Sequence, residues 1–141
     1  MFKTLLLAVD VNAPEGAARS MDAAVSMARA ENATLHLLNV VPDTGMAIVG
    51  ASLASDSMKK ALAAAQTELE NWAKANMPDD VTYKVHVTEG TVYDQIIRTA
   101  QSLDIDAIIV GAHRPELRDY LIGPNAARVA RHAQQSVFVV R

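Results

Sequence analysis

Apolar residues along the chain form five short clusters that alternate with longer amphipathic segments. Four of the clusters are continuously rich in Val, Ile and Leu, which is typical of strands buried on both faces of a sheet. These four are residues 4–9, 35–41, 105–110 and 137–140. The fifth cluster, 81–87, alternates, with apolar Val81, Tyr83, Val85 and Val87 on one side and polar Thr82, Lys84 and His86 on the other. This alternation predicts an edge strand with one face in water.

The segments between the strands carry apolar residues at helical spacing. They predict helices over residues 15–31, 56–76, 91–103 and 125–133. In the third helix, Thr91 and Asp94 are placed like a capping pair. Residues 42–55 contain proline and two glycines without a sustained period, which predicts a loop or a weak extension of the second helix. The methionines and Trp72 at helical spacing indicate core packing rather than a cofactor site.

Strands and helices alternate along the whole sequence, and this order predicts a single α/β domain. With right-handed crossovers, five strands and four helices give a parallel sheet with helices on both faces. The 141 residues, half of them hydrophobic, suit one compact domain over residues 1–141.

Composition excludes several classes of function. The chain has no cysteine, so disulfides, thiolate metal sites and cysteine nucleophiles are ruled out, and a cytoplasmic location is expected. The apolar run at the N-terminus is too short for a signal peptide, and no segment approaches the roughly 18 apolar residues of a membrane span. A net charge of −3 and a pI near 5.7 argue against nucleic-acid binding.

Candidate binding residues follow the first and fourth strands. Ligands of open parallel sheets bind beyond the carboxyl ends of the strands, which brings Asp10 together with the segment 111–125. Gly111 allows close approach to the backbone, Gly123 precedes a helix whose N–H groups attract anions, and His113 and Arg114 lie between them. This spacing suggests a phosphate site, although two glycines that only make turns would give the same pattern. Asp10 suits a ribose hydroxyl or Mg²⁺, and equally a cap of the loop that follows it.

Four stretches of the sequence together resemble the universal stress protein family from end to end. They are "LLLAVDVN", "LHLLNVV", "GTVYDQIIRTAQSLDIDAIIVGAHRP" and "LIGPNAARVARHAQQSVFVVR". Nucleotide-binding members carry G-x2-G-x9-G-[ST] at the loop after the fourth strand. This chain has Arg114 in place of the second glycine, a spacer one residue shorter before Gly123, and Pro124 in place of Ser or Thr. The first two departures are shared with a short bacterial subgroup that reads S-H-R-P followed by L-G-S-N.

The resemblance implies a Rossmann-like sheet with strand order 3-2-1-4-5 and a cleft for an adenine nucleotide such as ATP, with Asp10 as the candidate contact for a nucleotide-bound Mg²⁺. It places the adenine and ribose at Ala8, Val9, Asp10 and Val40, and the phosphates at Gly111, His113, Arg114, Gly123, Pro124 and Asn125. It also implies a homodimer that regulates the stress response, pairing through the last strand at 136–140, with an unknown protein partner. An exposed apolar edge strand is an independent physical reason for such pairing.

Pro124 removes two donors at the helix entrance, the hydroxyl of the family motif and one backbone N–H. Each lost charge-assisted hydrogen bond costs roughly 1.5 to 3 kcal/mol, or about one to two decades in affinity. The turn itself should survive, since proline suits the first position of a helix. We therefore expect nucleotide binding that is weaker at the terminal phosphate and favours AMP or ADP more than in relatives with serine. The alternative is a family member that has lost nucleotide and acts as a dimeric interaction module.

Catalytic functions find little support in the sequence. A response-regulator receiver needs a phosphoacceptor Asp after its third strand and a Lys after its fifth, where this chain has "VTEG" and Arg141. No Ser-His-Asp set or carboxylate pair is visible, so at most slow ATP hydrolysis is expected. The four histidines His36, His86, His113 and His132 lack metal-ligand spacing, and a strand or helix surface position explains all but His113.

Overall fold

The computed structural model describes residues 1–11, 13–42, 51–112 and 124–141. Five strands alternate with four helices in these ranges. The strands are β1 (Thr4–Ala8), β2 (Thr34–Val41), β3 (Tyr83–Glu89), β4 (Ala107–Gly111) and β5 (Ser136–Val140). The helices are α1 (Pro14–Glu31), α2 (Ala51–Asn76), α3 (Val92–Ser102) and α4 (Pro124–His132). The predicted order of elements is confirmed, with boundaries that differ by a few residues.

The strands form one parallel sheet in the order β3-β2-β1-β4-β5. Leu6 at the centre of β1 lies beside His36 of β2 on one side and Ile108 of β4 on the other. The chain moves outward from β1 to β3 and then returns to the other side of β1 for β4, so strand order reverses between β1 and β4. The predicted fold class and strand order are therefore confirmed.

A separate core lies on each face of the sheet, which explains why the central strands are apolar at consecutive positions. On one face, Leu5, Leu7 and Leu37 pack against α1 and α2, and Leu69 of α2 is fully buried. On the other face, Leu6, Leu38 and Ile108 pack against α3 and α4, where Ile96 and Val129 are almost completely buried. Trp72, Met21 and Met27 pack against the first core and Met77 is buried in it, which agrees with the packing role predicted for them.

Two helices end in left-handed residues that turn the chain directly into the next strand. Asn32 follows α1 with φ 51° and ψ 48°, and its N–H bonds back to carbonyls of the last helical turn. Asp104 follows α3 with φ 54°, and Ile105 N–H then bonds to Ala100 O at 2.9 Å. Short polar side chains tolerate this backbone region better than other non-glycine residues do. These compact turns bring β2 and β4 straight onto β1.

Three sequence predictions need correction or qualification. Thr91 is the N-cap of α3, but its side chain makes no capping hydrogen bond, and Asp94 instead accepts a hydrogen bond from Arg98 at 2.8 Å. His36 is not a surface residue of its strand, since only 7 % of it is exposed. Within 42–55, residues 51–55 extend α2 as one alternative proposed, while 43–50 lie outside the described residues.

The β3 segment behaves as an edge strand, as its alternation predicted. It ends the sheet, Lys84 is exposed, and Tyr83, Val85 and Val87 pack against the core shared with α1 and α2. His86, on the opposite face, is half-buried rather than fully in water. In the described parts of the chain, no helix combines the length and apolar character that crossing a membrane requires.

Candidate functional site

A cavity of about 260 Å³, which we call the cleft, opens at the carboxyl ends of the central strands. Its walls come from the ends of β1, β2 and β4 and from the facing surfaces of α3 and α4. The lining residues are Ala8, Val9, Asp10, Leu38, Asn39, Val40, Pro42, Val92, Ile96, Val110, Gly111, Asn125 and Ala126. This is the place where strand order reverses between β1 and β4, the usual position of ligand sites in open α/β sheets.

One wall of the cleft is apolar. Leu38 and Val40 lie two residues apart on the same face of β2, and Val92 and Ile96 lie one turn apart on α3. All four belong to the core between the sheet and α3, or pack against it. A flat apolar group such as a nucleobase can pack on this wall and bury area there.

The opposite end of the cleft is formed by Gly111 of β4 and the start of α4. A Cβ added to Gly111 would lie 3.6 Å from Gly16 O and 3.7 Å from Ser20 Oγ, which are ordinary contact distances. Packing against the described residues therefore does not require glycine at this position. Because glycine has no side chain, Gly111 lines the cleft with its backbone, which a ligand can approach closely.

The first helical residue of α4 is Pro124, as the preference of proline for that position predicted. Pro124 is exposed and has no N–H, whereas the next two residues, Asn125 and Ala126, both line the cleft. Their backbone N–H groups belong to the first turn, where no intrahelical acceptor is available. The start of α4 thus retains donors for an anion, although proline removes one of them.

Asp10 lies just beyond β1 at the mouth of the cleft and is exposed. The neighbouring Val9 N–H donates to Leu38 O at 2.8 Å, which fixes the chain against β2, and Asp10 O accepts from Ala13 N–H at 3.1 Å. The loop after β1 is therefore held at both sides of Asp10. This arrangement fixes the backbone of Asp10 at the mouth of the cleft.

The structure brings together six of the ten residues that the sequence nominated for nucleotide binding. Ala8, Val9, Asp10, Val40, Gly111 and Asn125 all line the cleft. Pro124 lies next to the cleft at the start of α4 but is not part of its lining. His113, Arg114 and Gly123 lie outside the described residues. Binding by these ten residues stays a prediction.

Sequence reasoning missed the contribution of α3. Val92 and Ile96 lie in the helix predicted over 91–103 from its apolar spacing, yet both line the cleft as well as supporting the core. Their role depends on the folded arrangement, in which α3 contacts both α4 and β2. The sequence of α3 alone does not contain this information. A stripe that reaches the carboxyl end of a sheet serves both core and site, and spacing alone does not separate these roles.

Comparison with known proteins gives a consistent result. The sequence matches the Universal stress protein family over residues 1–141. Among curated relatives, Universal stress protein G of Salmonella typhimurium is 30 % identical over 143 residues, with complete coverage of both chains. Universal stress protein G of Escherichia coli O157:H7 is 29 % identical over 149 residues, again with complete coverage of both.

Solved structures agree in fold. Universal stress protein UspA from Lactobacillus plantarum superposes with a TM-score of 0.77 at 23 % identity, covering 99 % of this chain and 98 % of that one. A universal stress protein in complex with cAMP gives 0.67 at 21 % identity, with 99 % and 97 % coverage. The universal stress protein from Archaeoglobus fulgidus in complex with dAMP gives 0.60 at 18 % identity, with 99 % and 98 % coverage. At these identities the structures show a shared fold, and the match over the full sequence shows that this chain belongs to the Universal stress protein family.

Proposed function

We propose that the chain is a regulatory protein of the stress response that binds an adenine nucleotide in the cleft. The observation that carries the proposal is the pairing, in one cavity, of an apolar wall on β2 and α3 with the donor-rich start of α4. Such a cavity is complementary to a molecule with a flat apolar end and an anionic end. Its volume is close to the lower limit of about 300 Å³ that is usual for small-molecule sites.

In this proposal the base packs against Val40 and Val92, and the ribose lies beside Asp10. The phosphates then extend past Gly111 to the first turn of α4, where the helix dipole favours negative charge. The two structural relatives solved with cAMP and dAMP support adenine as the base. His113, Arg114 and Gly123 are further phosphate ligands by resemblance to the family motif.

The α- and β-phosphates are the best-held part of the phosphate chain. Asn125 and Ala126 retain backbone N–H groups at the start of α4, whereas Pro124 provides neither an N–H nor a hydroxyl. We therefore propose that the terminal phosphate of ATP gains little affinity and that AMP and ADP compete well with ATP.

We propose that magnesium enters the site as part of a metal–nucleotide complex. Among the described residues, no group of three His, Asp, Glu or Cys side chains is placed to hold a metal. Mg²⁺ is commonly bound by one or two carboxylates together with substrate phosphates, and Asp10 is the carboxylate at the cleft.

Isothermal titration calorimetry of the purified protein with ATP, ADP and AMP tests the proposal. We expect saturable binding of all three at micromolar to millimolar concentration, with affinities that differ by less than about tenfold. GTP is the control for the base, and titration with and without Mg²⁺ tests the role of Asp10. Absence of binding by every adenine nucleotide at millimolar concentration would refute the proposed function.

The second candidate is a dimeric interaction module that has lost nucleotide, and Pro124 at the first position of α4 favours it. Both candidates share the proposed homodimer through β5. This strand ends the sheet, and Phe138 on it is 38 % exposed and packs edge-on against Phe2 with ring centroids 5.8 Å apart. Light scattering on Phe138→Lys should show a monomer where the wild type is a dimer. A dimer that withstands this change would place the contact elsewhere.

A further inference from the structure

His36 and His86 contact each other across neighbouring strands, outside the cleft. The facing atoms, His36 Nδ1 and His86 Nε2, are 2.8 Å apart, which is hydrogen-bond distance. The ring centroids are 5.1 Å apart and the planes differ by 26°. Because the centroids are farther apart than the nitrogens by about two ring radii, the two nitrogens lie close to the line between the centroids. The rings therefore meet head to head through a single N–H···N bond.

The contact joins the edge strand to the interior of the sheet. In the register of β2 and β3, His36 is opposite Lys84, and His86 is opposite Leu38, so the pair is diagonal. Only 7 % of His36 is exposed, and His86 is half-buried at a groove shared with α3. A side-chain bond at this place adds to the backbone ladder that holds β3 to β2.

Among the described residues that flank the pair in the sheet register or line the groove beside it, none is an Asp or a Glu that could compensate a positive charge. Lys84 on β3 is a cation on the same face and lies opposite His36 in the register, and Leu6 of β1 lies beside His36. From α3, the groove next to His86 is lined by Arg98, Thr99 and Ser102, and the Asp94 carboxylate is already bonded to Arg98. Burial is the main cause that lowers the pKa of both imidazoles, and repulsion by Lys84 lowers both further.

The contact depends on pH because it requires a lone pair on one of the two facing nitrogens. The neutral pair has one N–H between the facing nitrogens and one lone pair to accept it. One added proton leaves a charged N–H···N bond, which is still compatible with the contact. A second proton puts N–H groups on both facing nitrogens, so the two donors oppose each other and both rings are charged. The doubly protonated pair must separate.

We propose that the His36–His86 pair is an acid-sensitive clasp that fastens the edge strand β3 to β2 and opens when both imidazoles are protonated. The unfolded chain takes up protons near pH 6.5, whereas the folded chain resists them. The contribution of the pair to the free energy of unfolding is therefore fully present above about pH 6.5, and it declines as pH falls below that value. Each histidine raises the unfolding equilibrium constant by up to about tenfold per pH unit in that range.

Urea unfolding of the full chain between about pH 7.5 and about pH 5.5 tests the clasp. The test variant is the double substitution His36→Leu with His86→Leu, and the matched control is His132→Gln, at an exposed histidine of α4. We expect acidification to raise the wild-type unfolding constant by at least about tenfold more than that of the double variant, with the control like wild type. Equal pH dependence of the wild type and the double variant would overturn the proposal.

Two measurements on the wild-type protein keep the test independent of how well the variant folds. In an NMR titration, the His36 and His86 rings should take up protons in separate steps below pH 6.5, and joint titration at about pH 6.5 would contradict the coupling. Amide hydrogen exchange, corrected for its intrinsic pH dependence, should show β3 losing protection on acidification before β1 and β4 do. Equal loss in all five strands would show that no local clasp exists.

Discussion

Pro124→Ser is the substitution that tests most directly whether the start of α4 holds phosphate as proposed. Pro124 is the first residue of α4, is exposed, and is followed by two residues that line the cleft. Serine restores a backbone N–H at the helix start and adds a hydroxyl of the kind found in the family motif. Both donors would lie beside the proposed phosphate site, whereas the apolar wall proposed for the base is unchanged.

The expected gain follows from the number of donors. A hydrogen bond to a charged group contributes about 1.5 to 3 kcal/mol, which corresponds to roughly 10- to 150-fold in affinity. Full use of both donors by the terminal phosphate would exceed this range, but an exposed helix start is partly solvated and the gain is reduced accordingly. We expect ATP to bind about 10- to 100-fold more tightly, with a change below about threefold for AMP.

Calorimetry with ATP and AMP measures the effect, and Pro124→Ala separates the two donors. Alanine restores the N–H without the hydroxyl, so its ATP affinity should lie between those of the wild type and Pro124→Ser. Removal of proline also frees the unfolded chain, which should lower stability by about 0.4 to 1 kcal/mol in both variants. Both variants restore the N–H and share this stability cost. The difference between their ATP affinities therefore reports the hydroxyl alone. Unchanged ATP affinity in Pro124→Ser would remove Pro124 from the account of specificity.

Three other substitutions test the site and the fold. Gly111→Ala should change the free energy of unfolding by less than about 0.5 kcal/mol, because the added Cβ has ordinary contacts, while nucleotide affinity measured by calorimetry falls. Unchanged affinity would show that the ligand does not come close to the position of this Cβ. Ile96→Ala, at a residue only 2 % exposed, should cost about 2 to 5 kcal/mol in urea unfolding, and a cost near zero would contradict its place in the core. Asp106 accepts hydrogen bonds from the backbone N–H groups of Lys3 and Thr4 at 2.8 and 3.0 Å, and these bonds lower the pKa of its carboxyl. Its contribution is therefore present above about pH 4 and lost as pH falls through the lowered value, so Asp106→Asn should flatten the acid limb of the stability profile. An acid limb identical to that of wild type would refute this role.

The fold was largely predictable because its signals are local and repeated. Continuous apolarity at 4–9 and 105–110 indicated strands covered on both faces, and the alternation over 81–87 indicated an edge, as the sheet order confirms. The sequence predictions failed where one local pattern was compatible with two different hydrogen bonds. Thr91 and Asp94 have the spacing of a capping pair, yet Asp94 pairs with Arg98 one turn later on the same helix. Spacing permits both bonds, and the position of the side chains in the folded protein selects one.

The cleft was only partly predictable because it is formed by elements that meet in space. Asp10 and Gly111 were nominated because both follow a strand whose carboxyl end had to lie at one edge of the sheet. The α3 wall requires knowing which face of the sheet that helix covers, and its apolar stripe would look the same on either face. Val92 and Ile96 therefore became site residues only when α3 was seen beside α4.

The contact between His36 and His86 could not be predicted from the sequence for the same reason. His36 and His86 are 50 residues apart in sequence, and their contact depends on the register of β2 and β3. A shift of one residue in that register would move His86 to the opposite face, because side chains alternate along a strand. The alternation over 81–87 correctly separated His86 from the valines of the core, but it gave no information about what lies opposite His86. His36 is one of two polar residues, with Asn39, in the otherwise apolar run 35–41, and this position was the one sequence sign that His36 needs a partner, since a buried imidazole without a hydrogen bond is costly.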